Sequence, residues 1–359
     1  MSQTFRELLK KVGSGTHTAK NLTRSEAKAA MEMMLKQEAT PAQIGAFMIA
    51  HRIKRPTPEE LAGMLDAYDE LGPSIVAENL PFDLPVTVFC HPYDGRSRTT
   101  PVSPLTALIL AAARVPVVMH GGDRMPTKYG ISLVEIWQGL GVDLTLLSLS
   151  QVQKLLAATG FTFIYLPQHF PLANDLVTYR EQIGKRPPSA TLELMWSPYQ
   201  GKVHLVCGFV HPPTEERFCR AFQLRQLTNY TTIKGLEGSC DLPRSRTGII
   251  GLGQINQDSN TYFERLHLHP KDYGFVGKDI PLESSANLIV QLQDVLKGKP
   301  TELSKDVIWN GGFYLWRCGV CDDIAAGLVQ AESMLVSGQV QEKLREIQVL
   351  SGDLSGIES

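Results

Sequence analysis

The stretch PVVMHGGDRMPTKYG, residues 116–130, decides the fold. An apolar run ends at Met119, His120 and two glycines follow directly, and a helical pattern begins after Gly130. A strand that ends in glycines before a helix places backbone amides and side chains at the carboxyl end of a sheet, where open α/β folds bind ligands. The sequence therefore predicts a binding site at this edge of a sheet, with other loops facing it.

Length and composition are those of an ordinary globular protein. The 359 residues are 43% hydrophobic and 20% charged, enough for one large or two medium domains with a sizeable core. The formal net charge of −2 gives no general attraction to nucleic acid or membrane, so any site for a polyanion must be a local basic patch. The polar start MSQTFRELLKK is unlike a secretory signal, and no apolar run approaches the ~18 residues of a membrane span. We expect a cytoplasmic protein with no membrane segment.

The six cysteines are scattered along the chain. Cys318 and Cys321 have C-x-x-C spacing, but no second pair or nearby histidine supports a metal site. We interpret them as reduced thiols in preference to zinc ligands or a redox pair.

Residues 5–73 read as helices. Thr23 followed by Glu26 is a capping box, and Thr40-Pro41 and Thr57-Pro58 are further helix starts. The helix after Thr40 is rich in small residues, which permits close helix packing and favours a contact between subunits.

From residue 81 the pattern changes to strands that alternate with helices, which predicts βαβ units and a mainly parallel sheet. We expect irregular structure over 168–202 and assign little to 248–285, where periodicity is poor. The predicted domains are a helical domain over 1–75, an α/β domain over 81–350 and a loose tail over 351–359.

The helical opening, GSGTHTAKNLTRSEAKAAMEMMLKQEATPAQIGAFMIAHRIKRPTPEELAGM, closely resembles the N-terminal domain of anthranilate phosphoribosyltransferases. The block MHGGDRMPTKYG is similar to that family's KHGNRSVSSKSG, and WNGGFYLWRCG with GLVQAESMLVSGQVQEKLREI resembles its closing helices. The resemblance implies a small helical domain, joined by helices from about 143–185, beside an α/β domain like that of nucleoside phosphorylases. It also implies a homodimer through the N-terminal helices, and phosphoribosyl transfer from phosphoribosyl pyrophosphate (PRPP) to an aromatic acceptor.

The family's loop for the donor pyrophosphate, G-T-G-G-D-G, is altered here to CHPYDG, where only Asp94 and Gly95 are kept. A pyrophosphate cradle needs glycines so that amides can approach the phosphate, whereas Pro92 has no amide and Tyr93 adds a ring. Arg96 and Arg98 follow and could bind phosphate by side chain, or be a solvated basic loop.

The resemblance also supplies candidates for the acceptor and for the donor phosphates. His120 and Gly121 match residues beside the aromatic acceptor, although a structural histidine is an alternative reading of His120. Lys128 matches a lysine near the phosphates. Arg180, with Tyr179 competing for the same alignment position, matches an arginine that faces the acceptor and could bind its carboxylate or pair with Glu181 at the surface.

The family's metal-binding run H-G-x-x-G-L-D-E corresponds to KGLEGSCDLPRSR. Cys240 replaces one carboxylate and Asp241 the other, while Glu237 is a further nearby carboxylate. Magnesium prefers hard oxygen ligands, so the resemblance implies at most a weak Mg²⁺ site at Glu237 and Asp241.

Basic residues gather in the same loops, as in a divergent second subgroup of the family, some of whose members bind nucleic acid. The candidates for such a basic groove, beyond those already named, are Arg124, Lys185, Arg186, Lys234, Arg244 and Arg246. Three functions therefore stay open: a phosphoribosyltransferase whose ordinary anthranilate activity is weak or lost, a non-catalytic binder of nucleic acid or another polyanion, and an interaction scaffold with a relic pocket.

Overall fold

The computed structural model describes residues 3–15, 17–76, 80–255 and 261–356, apart from the side chains of residues 255, 261 and 262. The chain begins with a small helical domain. Its helices are α1 (Gln3–Gly13), α2 (Arg24–Leu35), α3 (Pro41–Lys54) and α4 (Pro58–Leu71).

Capping decides where these helices begin. Thr23, Thr40 and Thr57 each close a capping box, with a Glu or Gln three residues later, as predicted for Thr23. Proline stands at the start of α3 and α4. The first N–H groups of a helix have no acceptor within the helix, so the missing N–H of proline costs no hydrogen bond there.

The small residues of α3 differ in their surroundings. A Cβ added to Gly45 would lie 3.9 Å from Ile183, and one added to Gly13 of α1 would lie 3.6 Å from Ala50. Gly45 and Ala50 therefore lie near other parts of the chain, Ala42 and Ala46 are exposed, and the predicted homodimer stays a prediction.

The larger domain begins with alternating strands and helices. In chain order these are β1 (Ile75–Val76), β2 (Val86–Cys90), α5 (Ser103–Ala112), β3 (Val117–Gly121), α6 (Leu133–Gly139), α7 (Leu149–Thr159) and β4 (Phe161–Tyr165).

Residues 168–202 were expected to be irregular, whereas residues 166–200 contain four short helices and a strand. These are α8 (Leu166–His169), α9 (Pro171–Asn174), α10 (Val177–Gln182), α11 (Ser189–Leu192) and β5 (Tyr199–Gln200). Proline lies in the first turn of α8 and α9, where it starts a helix. Strand β5 pairs only with β1, in parallel.

The remaining elements complete the sheet and its helical cover. They are β6 (Val203–Gly208), α12 (Pro212–Leu224), β7 (Asn229–Ile233), β8 (Gly248–Ile255), β9 (Thr261–Leu268), α13 (Ser285–Leu296), α14 (Glu302–Arg317), α15 (Ile324–Val336) and α16 (Gln339–Gly356).

The main sheet has seven strands in the order β4-β3-β2-β6-β7-β8-β9, parallel from β4 to β7 and antiparallel at β8 and β9. The predicted mainly parallel sheet flanked by helices is therefore present. Every residue of β2 and β3 is buried, as expected for strands covered on both faces.

The hairpin of β8 and β9 was not predicted, because glycines replace the side chains whose alternation would have indicated a strand. A Cβ at Gly253 would lie 2.0 Å from the ring of Tyr230, and one at Gly251 would lie 2.6 Å from the ring of Phe263. These glycines make room for neighbouring aromatic rings.

The expected loose tail from residue 351 is wrong for residues 351–356, because α16 continues to Gly356 with Ser351 and Leu354 buried. Residues 357–359 lie outside the described residues. Among the helices of the described chain, none combines the length and apolar character needed to cross a bilayer.

Candidate ligand site between the domains

The site lies where the parallel strands end. Strands β2, β3 and β7 finish at Cys90, Gly121 and Ile233, so the loops that follow them meet at one edge of the sheet. This topology brings together residues far apart in sequence, and the contacts below show which of the predicted site residues meet.

The loop after β2 uses its own amides internally. The Tyr93 amide donates to Oε2 of Glu193 at 2.9 Å, and the Gly95 amide donates to the Pro92 carbonyl at 3.1 Å. Gly95 has φ +74°, and a Cβ there would lie 2.5 Å from the Ile131 carbonyl oxygen, so glycine is required. The amides of Tyr93 and Gly95 are therefore bound within the protein.

Arg96 was predicted to contact phosphate, but it is buried and bound within the protein. Its guanidinium donates to Oδ2 of Asp241 at 2.7 Å, to the Ser239 hydroxyl at 2.8 Å and to Thr99. Its Nε donates to Oε1 of Glu237 at 3.3 Å. Arg96 thus joins the two carboxylates predicted as metal ligands.

The carboxylate of Glu237 binds backbone amides of residues 97–99, in the loop that follows β2. Its carboxylate accepts the amides of Ser97 at 3.3 Å and of Arg98 and Thr99 at 3.0 Å each. Burial raises the pKa of Glu237, but Arg96 and these amides outweigh it and hold the pKa at about 2. Burial raises the pKa of Asp241, against the opposing effect of Arg96.

Lys128 is half-buried between two carboxylates. Its Nζ lies 3.9 Å from Oδ1 of Asp94 and 3.7 Å from Oε2 of Glu237. Burial lowers the pKa of Lys128, while the two acids act in the opposite sense. Lys128 therefore lies between the loop that follows β2 and the loop that follows β7, and its assignment to the donor phosphates stays a prediction.

Arg180, predicted to face an acceptor, is buried and holds a carboxylate of the protein itself. Its Nη1 donates to Oε1 of Glu193 at 2.5 Å, so it does not pair with Glu181 at the surface. Burial raises the pKa of Glu193, while Arg180 and Arg186 lower it. Sequence reasoning missed Glu193, since it stands in a stretch without periodicity and no motif marks it.

His120 lies near the end of β3 and contacts Tyr93, the residue that stands where the family's loop has a glycine. Its Nδ1 is 2.6 Å from the Tyr93 hydroxyl, and its ring packs edge-on against Trp196. Gly121 lines the same small pocket, together with Arg96 and Ser239. The ring of Tyr93 therefore occupies space next to the histidine that was predicted to face the acceptor.

The predicted basic groove does not form as a set. Arg244 is only 2% exposed and donates to Asp306 at 2.5 Å and to Glu302 at 3.1 Å, so its assignment to a nucleic-acid groove is wrong. Arg124 binds Glu135 through two hydrogen bonds of 2.7 Å. Both arginines form ion pairs with carboxylates that are not adjacent to them in the sequence.

The other candidate cations differ in exposure. Arg98 has 76% of its side chain exposed and lies 3.7 Å from Glu237, and Arg246 lies 3.6 Å from Asp279. Arg186 is 3.9 Å from Glu193 and donates to the Ala190 carbonyl. Lys185 is exposed and Lys234 is half-buried.

A cleft of about 580 Å³ opens beside the site, between the loop after β3 and α10. Its charged lining consists of Asp123, Asp175, Glu181 and Arg124. Since Arg124 is already paired with Glu135, the cleft is acidic and a poor surface for a polyanion.

The fold and site together define a class of protein, namely a two-domain α/β protein whose candidate ligand site lies at the strand ends, where Arg180 of α10 approaches Asp94 of the loop after β2. The helical bundle domain of the glycosyl transferase family matches residues 6–72, and the family's α/β domain matches residues 94–341. The chain belongs to this family.

Curated relatives are anthranilate phosphoribosyltransferases. That of Polynucleobacter necessarius is 26% identical over 331 residues, covering 90% of this chain and 93% of its own. That of Chromobacterium violaceum is 25% identical over 334 residues, covering 92% and 94%.

Solved structures share the fold. The Thermus thermophilus anthranilate phosphoribosyltransferase has a TM-score of 0.75 at 20% identity, covering 96% of this chain and 99% of its own. The Saccharomyces cerevisiae anthranilate phosphoribosyltransferase in complex with PRPP and Mg has a TM-score of 0.79 at 16% identity, covering 98% and 99%.

Proposed function

We propose that this protein keeps the family's site for ligand binding, while ordinary transfer of phosphoribosyl from PRPP to anthranilate is weak or lost. One observation carries this proposal. The amides and guanidinium groups that an incoming anion would need are already bound by carboxylates of the chain itself, namely Glu193, Glu237 and Asp241.

The donor side supports weak binding of a pyrophosphate. Amide 93 is bound to Glu193, amides 97–99 are bound to Glu237, and position 92 is a proline. Each charge-assisted hydrogen bond that the ligand cannot form lowers its binding free energy by roughly 1.5–3 kcal/mol. Two or three such losses weaken binding by several powers of ten.

The residues present do not fit a magnesium site in this arrangement. Both candidate carboxylates bind the buried Arg96, and a divalent cation would have to displace a guanidinium or lie beside it. The described residues also contain no group of three or more His, Cys, Asp or Glu side chains placed to hold a metal ion. We therefore assign no step of a reaction to a metal here.

The experiment is a steady-state assay that follows the loss of anthranilate fluorescence with PRPP and Mg²⁺ in excess, with the Saccharomyces cerevisiae enzyme as positive control. We expect kcat/KM at least about 1000-fold below the control, the equivalent of roughly 4 kcal/mol of transition-state stabilisation. Turnover within tenfold of the control would overturn the proposal.

Nucleic-acid binding is not favoured by a specific observation. Arg96 and Arg244 are buried in ion pairs, Arg124 is paired with Glu135, and the adjoining cleft carries three carboxylates. Too few free cations of the predicted groove remain to neutralise a run of phosphates.

A further inference from the structure

A small cavity next to the acceptor side contains a buried arginine with unused donors. Arg180 is 3% exposed, and while its Nη1 binds Glu193, its Nε and Nη2 have no hydrogen-bond partner. Buried N–H groups without a partner are unfavourable and rare in folded proteins, so a pair of them marks a place where an acceptor oxygen is expected.

A buried acceptor lies next to these donors. Asp94 is 1% exposed, its Oδ1 has no hydrogen-bond partner, and its Oδ2 is 3.9 Å from Nη2 of Arg180. That separation is too long for a hydrogen bond. Asp94 does not line the cavity, whereas Arg180 does, so the unused donors of Arg180 are the groups that a ligand's carbonyl oxygen meets there.

The charges argue against an acidic ligand. Arg180 is already paired with Glu193 at 2.5 Å and faces Asp94, so a ligand carboxylate would be the third in a buried space around one arginine. Lys128 is bracketed by Asp94 and Glu237 in turn. An uncompensated buried charge is strongly unfavourable, whereas a neutral carbonyl satisfies the donors without adding charge.

The shape of the cavity sets where a ligand's ring would lie. The inner space is about 30 Å³, enough for an amide group, with Tyr68, Tyr93 and Leu176 in its wall. Met125 and Val177 line both this cavity and the 580 Å³ cleft, so the two spaces adjoin and a ring attached to the amide can extend toward the cleft.

We propose that this cavity binds an uncharged aromatic carboxamide or lactam. Its carbonyl oxygen accepts from Nε and Nη2 of Arg180, a residue of the cavity wall. Glu193 then acts as the residue that selects neutral ligands over acids. The inference rests on the proposed function, in that it takes the site as a ligand site that no longer serves anthranilate.

The test compares two probes of the same shape, 2-aminobenzamide and 2-aminobenzoate, by isothermal titration calorimetry with the full chain and without PRPP. We expect the amide to bind at least about tenfold more tightly than the acid. Equal affinities, tighter binding of the acid, or no heat from the amide at ~10 mM would each overturn the inference.

Variants assign the selectivity to its residue. Glu193→Gln keeps the shape and removes the charge, so the preference for the amide should shrink at least about tenfold. Glu332→Gln, at an exposed position of α15 away from the cavity and the cleft, is the matched control and should leave the preference unchanged. An unchanged preference in Glu193→Gln, with a melting transition like that of the parent chain, would remove Glu193 from this role.

The two proposals fail separately. Rapid anthranilate turnover would end the proposed function whatever the two probes do. A lack of selectivity between the probes in a protein that also lacks turnover would end only the carboxamide inference.

Discussion

Glu237→Gln tests whether the carboxylate of Glu237 stabilises the site by binding backbone amides and Arg96. The carboxylate accepts three amides and pairs with Arg96, and its side chain is 2% exposed, so solvent does not screen these contacts. A pKa lowered from 4.5 to about 2 corresponds to roughly 3 kcal/mol of stability at neutral pH. Gln keeps one acceptor oxygen, so we expect a loss of about 2–3 kcal/mol in the free energy of unfolding at pH 7.

The lowered pKa of Glu237 determines how the stability difference between the parent chain and Glu237→Gln changes with pH. A carboxyl with a lowered pKa in the folded state contributes stability that is fully present above 4.5 and is lost as pH falls toward 2. The gap between the parent chain and Glu237→Gln should therefore close over this range. Glu60, whose pKa is also held at about 2, titrates in both proteins and cancels from the difference.

The assay is urea unfolding followed by circular dichroism at pH 7, 5, 4 and 3, with Glu332→Gln on the exposed side of α15 as control. The control should change the free energy of unfolding by less than about 0.5 kcal/mol. A gap for Glu237→Gln that is equally small, or one that does not vary with pH, would refute the role given to this carboxylate.

Two further predictions concern the fold around the site. Arg244→Ala should cost about 3 kcal/mol of stability, because it removes the partner of Asp306, whose side chain is only 15% exposed, whereas Arg246→Ala should change stability by under about 1 kcal/mol. Similar losses in urea unfolding for the two variants would contradict this reading. Gly253→Ala should lower the melting temperature, since its Cβ would lie 2.0 Å from the buried Tyr230 ring. Gly352→Ala, at an exposed position of α16 with open space around it, should instead stabilise by about 0.5–1 kcal/mol, and a neutral Gly253→Ala would show that the strand can move aside.

The sequence predicted helix starts well where the stabilising contact joins residues that are close in the chain. The capping boxes at Thr23 and Thr57 begin helices because the side chain and the amide it binds are three residues apart. The convergence of loops at the strand ends also followed from the sequence, since a parallel sheet brings those ends to one edge. By contrast, β8 and β9 carry glycines that hide strand periodicity.

The ion pairs of the site could not be read from the sequence. Arg96 meets Asp241 across 145 positions of sequence, and Arg244 meets Asp306 across 62. A count of basic residues in loops records charge but not the partner that cancels it, which is why Arg244 was placed in a groove. Glu193, the acceptor of a hydrogen bond from Arg180, was missed because neither periodicity nor a motif marks it in the sequence.

The central claim is that the chain's own carboxylates fill the positions an incoming anion would need. Calorimetric titration of the parent protein with PRPP in the presence of Mg²⁺ tests it most directly. The account predicts no binding tighter than ~1 mM, and a dissociation constant in the micromolar range would contradict it.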